Sequence, residues 1–126
     1  MNHSAPASLV TAIFLILTFS TEANADTAED DAGKKQFNKC AACHSLEAET
    51  HLQGPSLSGL FGRNAGSVKG FVFSPALEQA DFVWTDETLS AFLKNPMESI
   101  PGNSMPFGGL KKPDQREDLI EYLKQF

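Results

Sequence analysis

The residues with the most evident chemistry are Cys40-Ala41-Ala42-Cys43-His44. Two thiols at i and i+3, with an imidazole at i+4 from the first, converge on one side of a helix end. Each thiol can add to one vinyl group of a porphyrin while the adjacent imidazole binds the iron. The C-x-x-C-H spacing therefore points to one c-type haem, attached through Cys40 and Cys43 with His44 as a metal ligand. Three other readings fit less well. A thioredoxin-like C-x-x-C needs a βαβ setting, and no strand pattern flanks this one. A zinc site needs four ligands, whereas the chain offers two cysteines with His44 and His51, and adjacent Cys43 and His44 do not easily face one ion. A disulfide between Cys40 and Cys43 would close a tiny loop and remove little chain entropy. None of the three explains His44.

An iron held by His44 takes its opposite ligand from elsewhere, and a thioether there favours the ferrous state and raises the reduction potential. Beyond the leader described below, Met97, Met105 and His51 are the candidates. Met105 lies in Ile100-Pro101-Gly102-Asn103-Ser104-Met105-Pro106-Phe107, where flanking prolines stiffen the loop that must hold a weak ligand. Met97, directly after Pro96, lacks that framing and is read as surface or rim, and His51 as a solvated loop histidine.

The elements that must position these groups fit one small domain. From Leu9 to Phe19 only Thr11 and Thr18 are polar, and Ala23-Asn24-Ala25 follows. That is the pattern of a secretory signal, residues 1–25, cut after Ala25, although Met1–Ser8 contains no Lys or Arg. The apolar run falls short of the ~18 residues a spanning helix needs, so no stable membrane insertion is expected. The whole chain carries 10 basic and 16 acidic side chains. Cleavage removes Glu22 and no basic residue, which leaves residues 26–126 at a net charge of −5 and argues against nucleic acid as a partner. A domain near 100 residues is marginal in buried area, and a bound cofactor would add to its core.

Thr27 followed by Glu29 and Asp30, with Lys34, Lys35 and Lys39 later, predicts an N-capped helix over 28–40. Glycines and prolines recur from Ser45 to Ser74 without a sustained period, which predicts ordered loop with at most a short helix. Ser74-Pro75 opens a short helical turn. Thr85 caps a helix that buries Leu89, Phe92 and Leu93 and ends at Pro96. Asn95–Gly109 is a long loop without secondary structure, of the kind that usually carries function. Pro113 opens a last helix with an apolar stripe of Leu119, Ile120, Leu123 and Phe126. No segment reads clearly as a strand, so the class is all-α with long loops around the haem.

In order along the chain, Gly33-x-x-x-Phe37, the haem motif, Gly54-Pro55-Ser56-Leu57, Gly59-Leu60-Phe61-Gly62-Arg63 and Gly70-Phe71 are followed by Trp84-Thr85, Asn95-Pro96, Ile100-Pro101-Gly102, Met105 and Glu117-Asp118-Leu119-Ile120-x-Tyr122-Leu123. Over nearly all of 28–126 this series resembles the class I cytochromes c, close to the mitochondrial and alphaproteobacterial soluble type. The resemblance implies a small fold whose N- and C-terminal helices cross, with Gly33 allowing close approach and Phe37, Leu119 and Tyr122 filling the flanks. It implies that the Pro55 carbonyl accepts a hydrogen bond from His44, that Arg63 and Trp84 attend the haem propionates, and that Met105 is the second metal ligand. The expected function is that of a periplasmic monohaem carrier, monomeric and not an enzyme, which moves single electrons between respiratory or dehydrogenase partners.

Departures from the pattern qualify that expectation. Phe73 and Phe92 stand where mitochondrial-type sequences carry tyrosine, which makes the haem site drier and poorer in donors. Lys39, Lys111 and Lys112 match lysines around the haem edge where redox partners dock transiently, whereas Met97, Glu98 and Ser104 replace others and thin the steering patch. Two alternatives stand beside the carrier. One is a haem peroxidase or ligand sensor with a labile Met105, and the other is a membrane-tethered cytochrome subunit of an oxidoreductase complex.

Overall fold

A computed structural model describes residues 1–2 and 25–126, with side chains from Thr27 onward. The expected leader over residues 1–25 lies almost wholly outside the described residues. Helix α1 spans Ala25–Phe37, α2 Pro75–Glu78, α3 Asp86–Lys94, α4 Pro96–Ser99 and α5 Pro113–Leu123. Among the described residues there is no strand, and the sole ladder contact is an isolated antiparallel bridge between Asn64 and Val83. The all-α expectation holds.

The local starts are those that side-chain chemistry sets. The Ser74 hydroxyl accepts from the Leu77 N–H at 3.3 Å and Pro75 supplies a fixed φ, which opens α2. Thr85 and Thr88 exchange side-chain and backbone hydrogen bonds in a capping box that starts α3. Pro113 stands in the first turn of α5.

Three expectations are corrected. Helix α1, described from Ala25, ends at Phe37, so Thr27 lies inside it and not at its start. The chain then tightens into turns, with Lys39 N–H bonded to Gln36 O and Cys40 N–H to Phe37 O. The long loop after Asn95 contains the single helical turn α4, because Pro96 fixes φ at its first position and the Ser99 and Ile100 amides close back on Asn95 and Pro96. Phe126 falls beyond α5 and is 42% exposed, so the buried stripe consists of Leu119, Ile120 and Leu123.

The crossing of α1 and α5 requires a missing side chain. A Cβ on Gly33 would lie 2.3 Å from Tyr122 Cβ and 2.5 Å from the Asp118 carbonyl oxygen, far inside contact distance. Phe37 packs beside the crossing with its ring 5.9 Å from that of Tyr122. Helix α3 joins α5 through Arg116, whose Nε donates to Ser90 Oγ at 3.0 Å and whose Nη1 donates to the Leu110 and Lys111 carbonyls at 2.8 and 3.0 Å. This buried guanidinium fastens the end of the Met105 loop to α5. The core gathered by these contacts includes Leu60, Trp84, Leu89, Phe92, Leu93 and the fully buried Leu119.

Candidate functional site

The two cysteines and His44 sit on the turns that follow α1. Ala41 N–H bonds to Phe37 O, and the Cys43 and His44 amides both bond to Cys40 O at 3.0 and 2.9 Å. These i+3 and i+4 closures keep Cys40, Cys43 and His44 on one side although the regular helix has ended. Burial pushes the Cys40 thiol up to about 11, outweighing the nearby Lys39 cation. Cys43 is half-buried, with its Sγ 3.4 Å from Gln53 Oε1.

His44 is held from two directions. Its Nδ1 lies 2.8 Å from the Pro55 carbonyl oxygen. A carbonyl only accepts, so Nδ1 carries the proton and the Nε2 lone pair is left for a metal. Burial lowers the imidazole pKa, and the Pro55 hydrogen bond opposes this only in part, so the ring is neutral as a ligand must be. Gly54 makes this placement possible. A Cβ there would stand 2.4 Å from His44 Cε1 and 2.7 Å from Nδ1.

Met105 arrives from the far side of the sequence. It is half-buried, its backbone N–H donates to Asn103 Oδ1 at 2.9 Å, and its carbonyl accepts from Phe107 N–H. Met97 is 51% exposed on α4, a rim position as expected. His51 departs from its reading as a solvated histidine. Its Nδ1 accepts from the Ser56 N–H at 3.0 Å, and its Nε2 donates to the Lys69 carbonyl at 2.9 Å. Both ring nitrogens are therefore engaged in tying the segment after the haem motif to the loop near Gly70.

Arg63 and Trp84 become neighbours through a short antiparallel pairing, in which Gly62 N–H bonds to Trp84 O and Trp84 N–H to Arg63 O, each at 2.9 Å. The Arg63 guanidinium donates to the Ser58 and Ser56 carbonyls at 3.2 Å, so it braces the chain just after Pro55. Cys40, Cys43, His44, Pro55, Arg63, Trp84 and Met105 all line one cleft, whose empty volume is about 1060 Å³ with its open mouth included. Phe73 and Phe92 line the same cleft, the latter T-shaped against Trp84 with ring centroids 5.3 Å apart.

The family model for Cytochrome c matches residues 31–126. The chain belongs to the cytochrome c family. It is 49% identical over 108 residues to cytochrome c of Chlamydomonas reinhardtii, covering 84% of this chain and 96% of that one. It is 44% identical to cytochrome c of Ginkgo biloba over the same length and coverage. Its structure is similar to that of cytochrome cH from Methylobacterium extorquens, with a TM-score of 0.73 and 37% identity, covering 77% of this chain and 98% of that one. Membership carries with it a class I fold and one covalent haem c joined to Cys40 and Cys43. The cleft fits such a group, since both cysteines, a neutral imidazole and a thioether line one largely apolar cleft. Sequence reasoning missed Asn103, Arg116 and Gln53, which touch the cysteine and methionine segments. Their only signal was a polar residue beside a residue already singled out, since the contacts that bury Asn103 and Arg116 are formed by the fold.

Proposed function

We propose that this cytochrome c is a one-electron carrier in the periplasm, with His44 and Met105 as the two iron ligands. The observation that carries the reading is the convergence on one cleft of a deprotonated imidazole nitrogen and a half-buried methionine, with both cysteines lining the same cleft. A bound haem would supply reversible one-electron chemistry at its iron. The protein's part is to keep that site dry and fixed. Pro55 holds the His44 tautomer and raises its basicity, Gly54 admits the ring, and Phe73, Phe92 and Trp84 exclude water. Arg63 supplies a cation on the wall, suited to a propionate. With both ligands retained, no substrate bond is made and little rearrangement accompanies electron exchange.

Residues 1–25 would direct export and be removed after Ala25, leaving a monomeric domain of residues 26–126. Among the described residues no helix is long and apolar enough to cross a membrane. Exposed Lys39, Lys111 and Lys112 would meet donor and acceptor proteins in small transient contacts. Haem staining of a denaturing gel, with a mass equal to residues 26–126 plus one haem, tests attachment and processing together. The sulfur-to-iron charge-transfer band of the ferric protein, and its disappearance in Met105→Ala, tests the ligand pair. Retention of that band in Met105→Ala, or rapid peroxide turnover by the untreated protein, would overturn the carrier reading in favour of another ligand or an enzyme.

A further inference from the structure

Asn103 is the one buried polar residue in a loop that is otherwise largely open, with Pro101, Gly102, Ser104 and Pro106 all exposed while it is 4% exposed. Both ends of its amide are engaged, and Nδ2 also lies 3.6 Å from Met97 Sδ. Nδ2 donates to the Pro96 carbonyl and to the Ile100 carbonyl, both at 2.8 Å, and Oδ1 accepts the Met105 N–H at 2.9 Å. Two acceptors on one side and one donor on the other allow a single orientation of the amide. The Asn103 N–H also bonds to Ile100 O at 3.1 Å. The side chain thus runs from both ends of α4 to the backbone of Met105, and α4 follows α3 after the single residue Asn95.

No charged, hydroxyl or apolar side chain does this as well. A carboxylate has no N–H to give to two carbonyls, a hydroxyl has one hydrogen, and an apolar residue of the same shape leaves the Met105 N–H without its partner. Fixing the Met105 amide fixes the Cα from which the thioether reaches into the cleft. A weakly held sulfur gains from such fixing, because a hydrogen bond made only with the sulfur in place adds its free energy to the gap between bound and detached loop states.

We propose that Asn103 is the positioning residue for Met105, a latch that ties the ligand loop to α4 and sets how often the sulfur leaves the iron. The inference rests on the reading of Met105 as the second ligand. Its test uses the ferric holoprotein and added imidazole, which binds iron only when the sulfur is off. Apparent affinity then reports the detached fraction. Loss of the charge-transfer band is followed for wild type, Asn103→Leu, Asn103→Asp and Phe37→Leu, the last being a core change beside the α1–α5 crossing and remote in sequence from the loop.

Asn103→Leu should bind imidazole roughly tenfold more tightly than wild type, the equivalent of one buried hydrogen bond of about 1.4 kcal/mol. Asn103→Asp keeps the acceptor for Met105 but loses its anchor on α4, so it too should bind more tightly, and it decides the matter if the leucine variant does not mature. Phe37→Leu should stay within twofold of wild type even where its guanidinium midpoint falls as far. Asn103 variants within twofold of wild type, or a Phe37→Leu affinity raised as much as theirs, would overturn the latch. If Met105→Ala itself keeps the charge-transfer band, the ligand assignment has failed and not the latch alone.

Discussion

Replacing Gly54 by alanine places a methyl group against the ring that the site most needs to hold still. The added Cβ would sit 2.4 Å from His44 Cε1, 2.7 Å from Nδ1 and 2.8 Å from Nε2. Carbon atoms in contact prefer roughly 3.5 to 4 Å, so the ring or the 52–55 turn must move by about 1 Å. The turn is held, since Gly54 N–H bonds to Cys43 O at 2.7 Å and Leu52 N–H to Gly54 O at 3.0 Å. Movement of the ring stretches the 2.8 Å hydrogen bond from Nδ1 to Pro55 O. Overpacking of this kind costs about 1–3 kcal/mol and the weakened hydrogen bond about 1 kcal/mol, which together give roughly 2–4 kcal/mol. Guanidinium unfolding of the ferric holoprotein, followed by far-ultraviolet dichroism, measures the loss. A second readout separates ring displacement from general destabilisation. A weaker hydrogen bond makes the imidazole a poorer donor to ferric iron, so the reduction potential should rise. A variant within about 0.5 kcal/mol of wild type, with an unchanged potential, would refute the argument that Gly54 exists to admit His44.

Gly33→Ala should cost about 2–3 kcal/mol in the same unfolding assay, because a Cβ 2.3 Å from Tyr122 Cβ forces α1 and α5 apart; wild-type stability would show the crossing to be looser than described. Phe92→Tyr adds a hydroxyl to the cleft wall and should change either the reduction potential or the alkaline loss of the methionine band, and no change in either measurement would make this position irrelevant to the iron. Acid should detach His44 only below the ordinary imidazole value of 6.5, since burial already favours the neutral ring. The folded state binds fewer protons at His44 than the unfolded one, so stability from this group rises with pH through that window and is lost as pH falls. A Soret shift centred at or above 6.5 would contradict it. Electron transfer to a redox partner should depend on ionic strength less steeply than in a relative fully ringed with lysine, and stopped-flow rates that fall steeply with salt would count against the thinned Lys39, Lys111 and Lys112 patch.

The attachment chemistry was legible in the sequence because it is local. Cys40, Cys43 and His44 are separated by so few residues that two hydrogen-bonded turns bring them to one side, helix or not. Thr85, Ser74-Pro75 and Pro113 likewise marked helix starts, since caps act on amides three residues away. Composition and period could not say what the long glycine-rich stretch would do. His51 reads as a surface residue until Lys69 O, eighteen positions on, meets its ring. Asn103 and Arg116 look like ordinary polar residues until α4, Ser90 and the Leu110 carbonyl enclose them. The end of α1 at Phe37 and the turn at α4 were also missed, because neither depends on an apolar period. Short-range bonding, which is written into neighbouring residues, determined the anchor of the cofactor. Only the tertiary structure decided how firmly its ligands are held, because the carbonyls and amides that hold them come from segments whose approach is fixed by burial of the whole core.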